Sequence, residues 1–84
     1  MQNDNSKNLE IINLLTPIFR EVLDIEDLVL TPETSANDVD GWDSLAHIRL
    51  VVSIENELAL RFTAEEVSSL KTIGDLAALV RRKQ

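Results

Sequence analysis

Cysteine and tyrosine are absent from this chain of 84 residues, and its aromatics are limited to Phe19, Phe62 and Trp42. Without cysteine there is no disulfide framework, no thiolate metal site and no cysteine nucleophile, so packing alone must hold the core. So few aromatic rings offer no base-stacking platform. Basic residues are also scarce, with 8 Lys and Arg against 15 Asp and Glu and a formal net charge of −7. An acidic surface repels nucleic acid and anionic membranes, so neither is expected as a partner. No apolar run approaches the ~18–20 residues of a membrane span. The segment Met1 to Glu10 is polar and acidic, unlike the basic-then-apolar pattern of a signal peptide, and a cytoplasmic location is expected. The length suits one small domain and leaves little room for the deep cleft of a multi-substrate enzyme. A flexible N-terminus over 1–8, a single domain over 9–84 and a monomeric state are expected.

The acids are concentrated. Glu21, Asp24, Glu26, Asp27, Glu33, Asp38, Asp40 and Asp43 follow one another with no Lys or Arg between Glu21 and Ile48. Such a run reads either as a solvated loop or as a docking surface for basic partners. From Leu9 on, apolar residues at Ile12, Leu15, Phe19, Val22 and Leu23 follow a helical period. Pro17 lies inside that run and predicts a kink, or a break with Thr16 capping the second piece. After Leu23 the period stops. Thr31-Pro32-Glu33 and Asp40-Gly41 are turn signals, so residues 24 to 42 form a long loop, anchored by Ile25, Leu28, Leu30 and Val39. A second helix is predicted from Asp43 or Ser44 to about Leu60. Thr63-Ala64-Glu65-Glu66 matches a capping box and opens a short helix. Thr72-Ile73-Gly74-Asp75 opens another, with Ile73, Leu76, Ala77 and Val80 on its apolar face and basic Arg81, Arg82 and Lys83 at its end, where they suit the helix dipole. Gly74 costs roughly 1 kcal/mol in a helix relative to Ala, with no compensation visible in the sequence. The predicted fold is all-α: a small bundle of three main helices plus one short helix, with a long loop between the first and second.

The second helix carries two apolar stripes where a surface helix needs one. His47, Leu50, Val51, Ile54 and Leu58 fall on the face assigned to the core. Ala46, Arg49, Ser53, Asn56 and Glu57 fall on the solvent face. Leu45, Ile48 and Val52 form the second stripe, which either packs beneath the long loop or is left for a partner or a bound chain. Ser44 starts this helix, where unpaired backbone N–H groups and the positive end of the dipole favour a phosphate. A serine there is ordinarily a cap; here Asp43 can cap instead, leaving the Ser44 hydroxyl for modification.

Other motifs fail. Asp38-Val39-Asp40-Gly41 resembles part of a calcium loop, but the register puts Ala36 and His47 at the anchoring acid positions, and no metal site is expected. Ser44 and His47 are one helical turn apart, yet a hydrolase also needs an oriented base and an oxyanion hole. His47 reads better as a structural residue, and no catalytic residue is assigned. Trp42 reads as a loop residue folded over the first helix, with a partner contact as the alternative.

Gly41-Trp42-Asp43-Ser44-Leu45, followed by Ile48-x-Leu50-Val51-x-x-Ile54-Glu55-x-Glu57-Leu58, resembles the acyl carrier protein family, in which Asp-Ser-Leu at a helix start is the attachment motif. The resemblance runs from about Leu9 to Val80 and includes the long loop and Thr72-Ile73-x-Asp75-Leu76. It implies that Ser44 receives 4'-phosphopantetheine from coenzyme A through a magnesium-dependent phosphopantetheinyl transferase, and that the arm's thiol holds acyl groups as thioesters for acyl-loading and acyl-processing enzymes. The resemblance assigns Asp43 and Leu45 to the motif around the serine. Ile48 and Val52 match partner-contact positions. Phe62, Val67 and Leu70 match positions lining a space for the acyl chain. Such a carrier is not an enzyme; tethering raises the effective concentration of its cargo. Ala46 and Arg49 stand where carriers of fatty acid synthesis often have acids, so Arg49 joins the partner-contact candidates. A role in specialised biosynthesis, polyketide or related, is expected. An aminoacyl or peptidyl carrier and a cofactor-free helical adaptor are the alternatives.

Overall fold

Ile11, Ile12, Leu15, Ile18, Phe19 and Val22 recur at helical spacing, and the first five are buried along one side of helix α1, Asp4–Leu23. The computed structural model describes residues 4–83. Helix α2 spans Ser44–Leu58, α3 Ala64–Ser68 and α4 Ile73–Lys83, with a 3-10 turn at Ala36–Asp38 in the long loop. Helix α1 packs against both α2 and α4. Their shared core joins the α1 residues to Leu50 and Ile54 of α2 and to Ile73, Leu76, Ala77 and Val80 of α4. Leu30 and Val39 anchor the loop as buried residues, whereas Ile25 and Leu28 are half-buried.

Helix α1 takes in residues 4–8 of the stretch expected to be flexible, and residues 1–3 lie outside the described residues. Of the two alternatives at Pro17, the break does not occur and the helix runs on through it. Pro17 and Asn13 lie on the exposed side of α1, where water can satisfy the Asn13 carbonyl that loses its donor. Burying Ile18 and Phe19 contributes about 1.5–3 kcal/mol each against a proline cost of about 3 kcal/mol. Rather than capping a new helix, the Thr16 hydroxyl donates back to the Ile12 carbonyl at 2.8 Å. Ala46, assigned to solvent, is buried; it lies one turn before fully buried Leu50, at the edge of the core face. Finally, α2 stops at Leu58 because Ala59 turns into the left-handed region at φ 56°.

The loop is clasped to α4 and leaves the second apolar stripe of α2 uncovered. The Ile73 and Gly74 amides donate to the carbonyls of Thr34 and Pro32, each at 2.8 Å, and Ser35 pairs with Thr72 in an isolated bridge. These bonds satisfy amides at the start of α4 that have no acceptor inside the helix. They also account for Gly74: a Cβ there would come within 2.9 Å of the Pro32 carbonyl oxygen. With the loop held at α4, the second stripe of α2 stays bare. Leu45, Ile48 and Val52 are 67%, 58% and 49% exposed.

Candidate functional site

Asp43, in extended conformation, is the N-cap of α2, and its carboxylate accepts from the Ala46 amide at 2.9 Å. The cap therefore needs nothing from Ser44. Ser44 is the first residue of α2 and is exposed, and no hydrogen bond engages its hydroxyl among the described residues. Gly41, at φ +85°, makes the turn that delivers the chain into this cap, a conformation glycine adopts without strain.

Beside Ser44 opens a largely apolar cavity of about 530 Å³. Trp42, Asp43, Ser44, His47 and Ile48 form one side of it. Val67, Ser68, Leu70, Lys71 and Thr72 form the other, with Leu76 of the core and Ala36 between. Of the three residues expected to line a chain-binding space, Val67 and Leu70 line this cavity. Phe62 lies outside this cavity. It packs half-buried against the core, with the Lys83 ammonium 6.0 Å from its ring centroid.

Trp42 and His47 are set by each other. The Trp42 ring meets Phe19 of α1 edge-on at 5.1 Å, as expected of a residue folded over the first helix. Its Nε1 donates to His47 Nδ1 at 3.2 Å, and the two rings stack at 6.1 Å. An acceptor at Nδ1 places the neutral ring's proton on Nε2, which donates to the Val67 carbonyl of α3 at 3.4 Å. His47 thus touches the loop through Trp42 and α3 through Val67, and it stands apart from the core proper to which it was assigned. The sequence reading missed this bridge. Its only signal was helical phase, since His47 lies three residues after Ser44 and so shares its side of α2.

Helix α3 has no buried residue and is held by polar contacts. Thr63 and Glu66 form a reciprocal capping box, with bonds of 2.9 and 3.1 Å. Lys83 of α4 reaches the Glu66 carboxylate at 3.0 Å. The Thr63 amide, and then the Lys83 ammonium, hold the Glu66 carboxyl below its ordinary value. Around the Ser44 end of α2, Asp38, Asp40 and Asp43 are exposed, whereas Arg49 is exposed beside Ile48 and Val52. Among the described residues, no helix is long and apolar enough to cross a membrane.

The family described as "Phosphopantetheine attachment site" matches residues 13–80. The chain is 34% identical over 73 residues to a meromycolate extension acyl carrier protein of Mycolicibacterium aurum, covering 87% of this chain and 75% of that protein. It is also 34% identical over 83 residues to the acyl carrier protein MbtL of Mycobacterium sp. strain MCS, covering 99% of this chain and 91% of that protein. Among solved structures, the solution structure of a holo acyl carrier protein from Geobacter metallireducens superposes with a TM-score of 0.83 at 52% identity. That likeness covers 87% of this chain and 84% of the other.

Proposed function

Because the chain belongs to the acyl carrier protein family, a family of non-enzymatic carriers whose cargo rides on covalently bound phosphopantetheine, we propose that Ser44 is the residue that takes the arm. The observation that carries this is the division of labour at the start of α2. Asp43 caps the helix, so the exposed Ser44 hydroxyl is left without a structural task, at the mouth of a cavity. The residues fit the group. The amides of Ser44 and Leu45 have no acceptor inside the helix and lie at the positive end of its dipole, where a phosphodiester is favoured. When bound, the arm supplies a thiol that holds an acyl group as a thioester, the sulfur chemistry a cysteine-free chain lacks. The apolar walls Val67, Leu70 and Ile48 shelter the carried group from water.

A phosphopantetheinyl transferase recognises Asp43, Ser44 and Leu45. Acyl-processing enzymes dock on the bare stripe of Leu45, Ile48 and Val52, with Arg49 at its margin. The pathway is a specialised biosynthesis in the cytoplasm. The similarity to carriers named for meromycolate extension and to MbtL supports that reading, as does Arg49 among the exposed apolar residues. The described fold from Asp4 to Lys83 acts as a single carrier domain.

Intact-protein mass spectrometry after incubation with coenzyme A and a transferase tests the site. The wild type gains the phosphopantetheine mass. Ser44→Ala keeps its helical circular dichroism, because Asp43 still caps α2, and gains nothing. An Ala variant that is still charged removes Ser44 from the assignment.

A further inference from the structure

Along α2 the cavity beside Ser44 is lined as far as His47 and Ile48. Of α2 it touches Ser44, His47 and Ile48 and nothing beyond. The following inward residues, Leu50, Val51 and Ile54, are buried against the bundle. His47 stands at this limit with both ring nitrogens engaged, one accepting from Trp42 at 3.2 Å and the other donating to Val67 at 3.4 Å. The imidazole therefore ties α2 to α3 across the space between them. Trp42 is itself fixed by its edge-on contact with Phe19. Phe62 packs against the core and lies outside the cavity. The geometry points to His47 as a specificity-determining stop that, oriented by Trp42, limits how much of a carried acyl chain enters the cavity beside Ser44. This rests on Ser44 being the attachment residue.

The bridge to Val67 is the member that yields. A 3.4 Å contact lies beyond the usual N–H···O distance, and α3 has no buried residue to hold it in place. Removing the imidazole adds its volume to the cavity and releases the last turn of α3. A glutamine side chain can accept from Trp42 and donate to Val67 much as the neutral imidazole does, so His47→Gln keeps the stop while His47→Ala removes it.

The test uses the full chain, loaded on Ser44 from coenzyme A analogues with acetyl, hexanoyl, decanoyl and tetradecanoyl groups. Loading is verified by intact mass, and the readout is the rate of thioester cleavage by hydroxylamine. In the wild type, protection rises with chain length to a plateau. In His47→Ala the plateau moves to longer chains, and each further methylene that enters slows cleavage by up to about fourfold, the equivalent of burying one CH₂. His47→Gln restores the wild-type plateau. A plateau unmoved in folded His47→Ala, or moved equally in His47→Gln, overturns the stop. If His47→Ala does not fold by circular dichroism, Trp42→Phe takes its place. It keeps a ring against Phe19 but removes the N–H that orients His47. It is expected to extend the plateau, and an unchanged profile there is equally fatal. Wild-type protein that refuses the arm overturns the attachment reading and this one with it. Loaded protein with an unmoved plateau overturns only the stop.

Discussion

Ser44 and Gly74 are two residues whose roles lie in what their neighbours do. The hydroxyl of Ser44 is spare because the Asp43 carboxylate already holds the Ala46 amide. Substituting Asp43 should therefore shift part of the capping task to Ser44 and cost about 0.5–2 kcal/mol in stability. Gly74 shows the opposite logic, being chosen by contact. In an open helix, Gly→Ala stabilises by roughly 1 kcal/mol. Here the new Cβ would meet the Pro32 carbonyl oxygen at 2.9 Å and its Cβ at 3.4 Å. Gly74→Ala is thus expected to destabilise by about 1–3 kcal/mol, the usual range for overpacking. Urea denaturation decides the sign, and a rise in the midpoint would mean that the loop clasp yields freely.

At the scale of elements, α2 carries the proposed docking stripe and α3 flanks the cavity beside Ser44. Helix α2 presents Leu45, Ile48 and Val52, and the residue between Ile48 and Val52 that carries charge is basic, Arg49. Ala46 and Ser53, one turn away, offer it no acid. A partner fitted to this surface presents an acid to Arg49, and an enzyme fitted to an acidic helix meets a like charge. Arg49→Glu should improve use by general fatty acid synthesis enzymes and weaken use by the cognate partner, with stability changed by less than about 0.5 kcal/mol. Steady-state kcat/KM with both enzymes at two salt concentrations checks this. Parallel losses with both, accompanied by a lower Tm, would mark Arg49 as structural. Helix α3 depends on Glu66, whose carboxyl is held below its ordinary value by the Thr63 amide and then the Lys83 ammonium. A depressed folded-state value means a contribution fully present above the ordinary carboxylate range and lost as pH falls through the depressed one. Amide protection in α3, taken relative to the intrinsic exchange rate at each pH, should fall over that acid interval in the wild type. In Glu66→Ala, which loses both the capping acceptor and the charge, it should already be low at neutral pH and change less across the same interval.

Across the whole molecule, charge is unevenly placed. Eight acids and no Lys or Arg lie between Glu21 and Ile48, within a formal net charge of −7. Several of these acids are exposed on the long loop, so their mutual repulsion acts against the compact state and is screened over about 10 Å at ~0.1 M salt. Raising salt, or adding divalent cations at low ionic strength, should raise Tm. A flat or falling Tm across the titration contradicts net repulsion. The same distribution gives the carrier an acidic approach to the Ser44 end of α2, while Arg49 marks the middle of that helix.

The number and type of helices, the capping box at Thr63, the helix start at Thr72, the apolar face of α4 and the Asp43-Ser44-Leu45 sequence at the start of α2 were all legible in residue order. Each depends on local spacing or on a side chain bonding to backbone three residues away. Residue order could not decide matters that depend on where distant segments meet. Pro17 leaves α1 unbroken because its neighbours Ile18 and Phe19 are buried by α2 and α4. Residues 4–8 lack an apolar period yet continue that helix. The stripe of α2 stays bare because the loop is tied to α4 through Pro32 and Thr34, which lie far from α4 in sequence. The partnership of Trp42, His47 and Val67 needed both the turn at Gly41 and the return of α3 against α2. Periodicity assigns a residue to a face; only packing determines what that face meets.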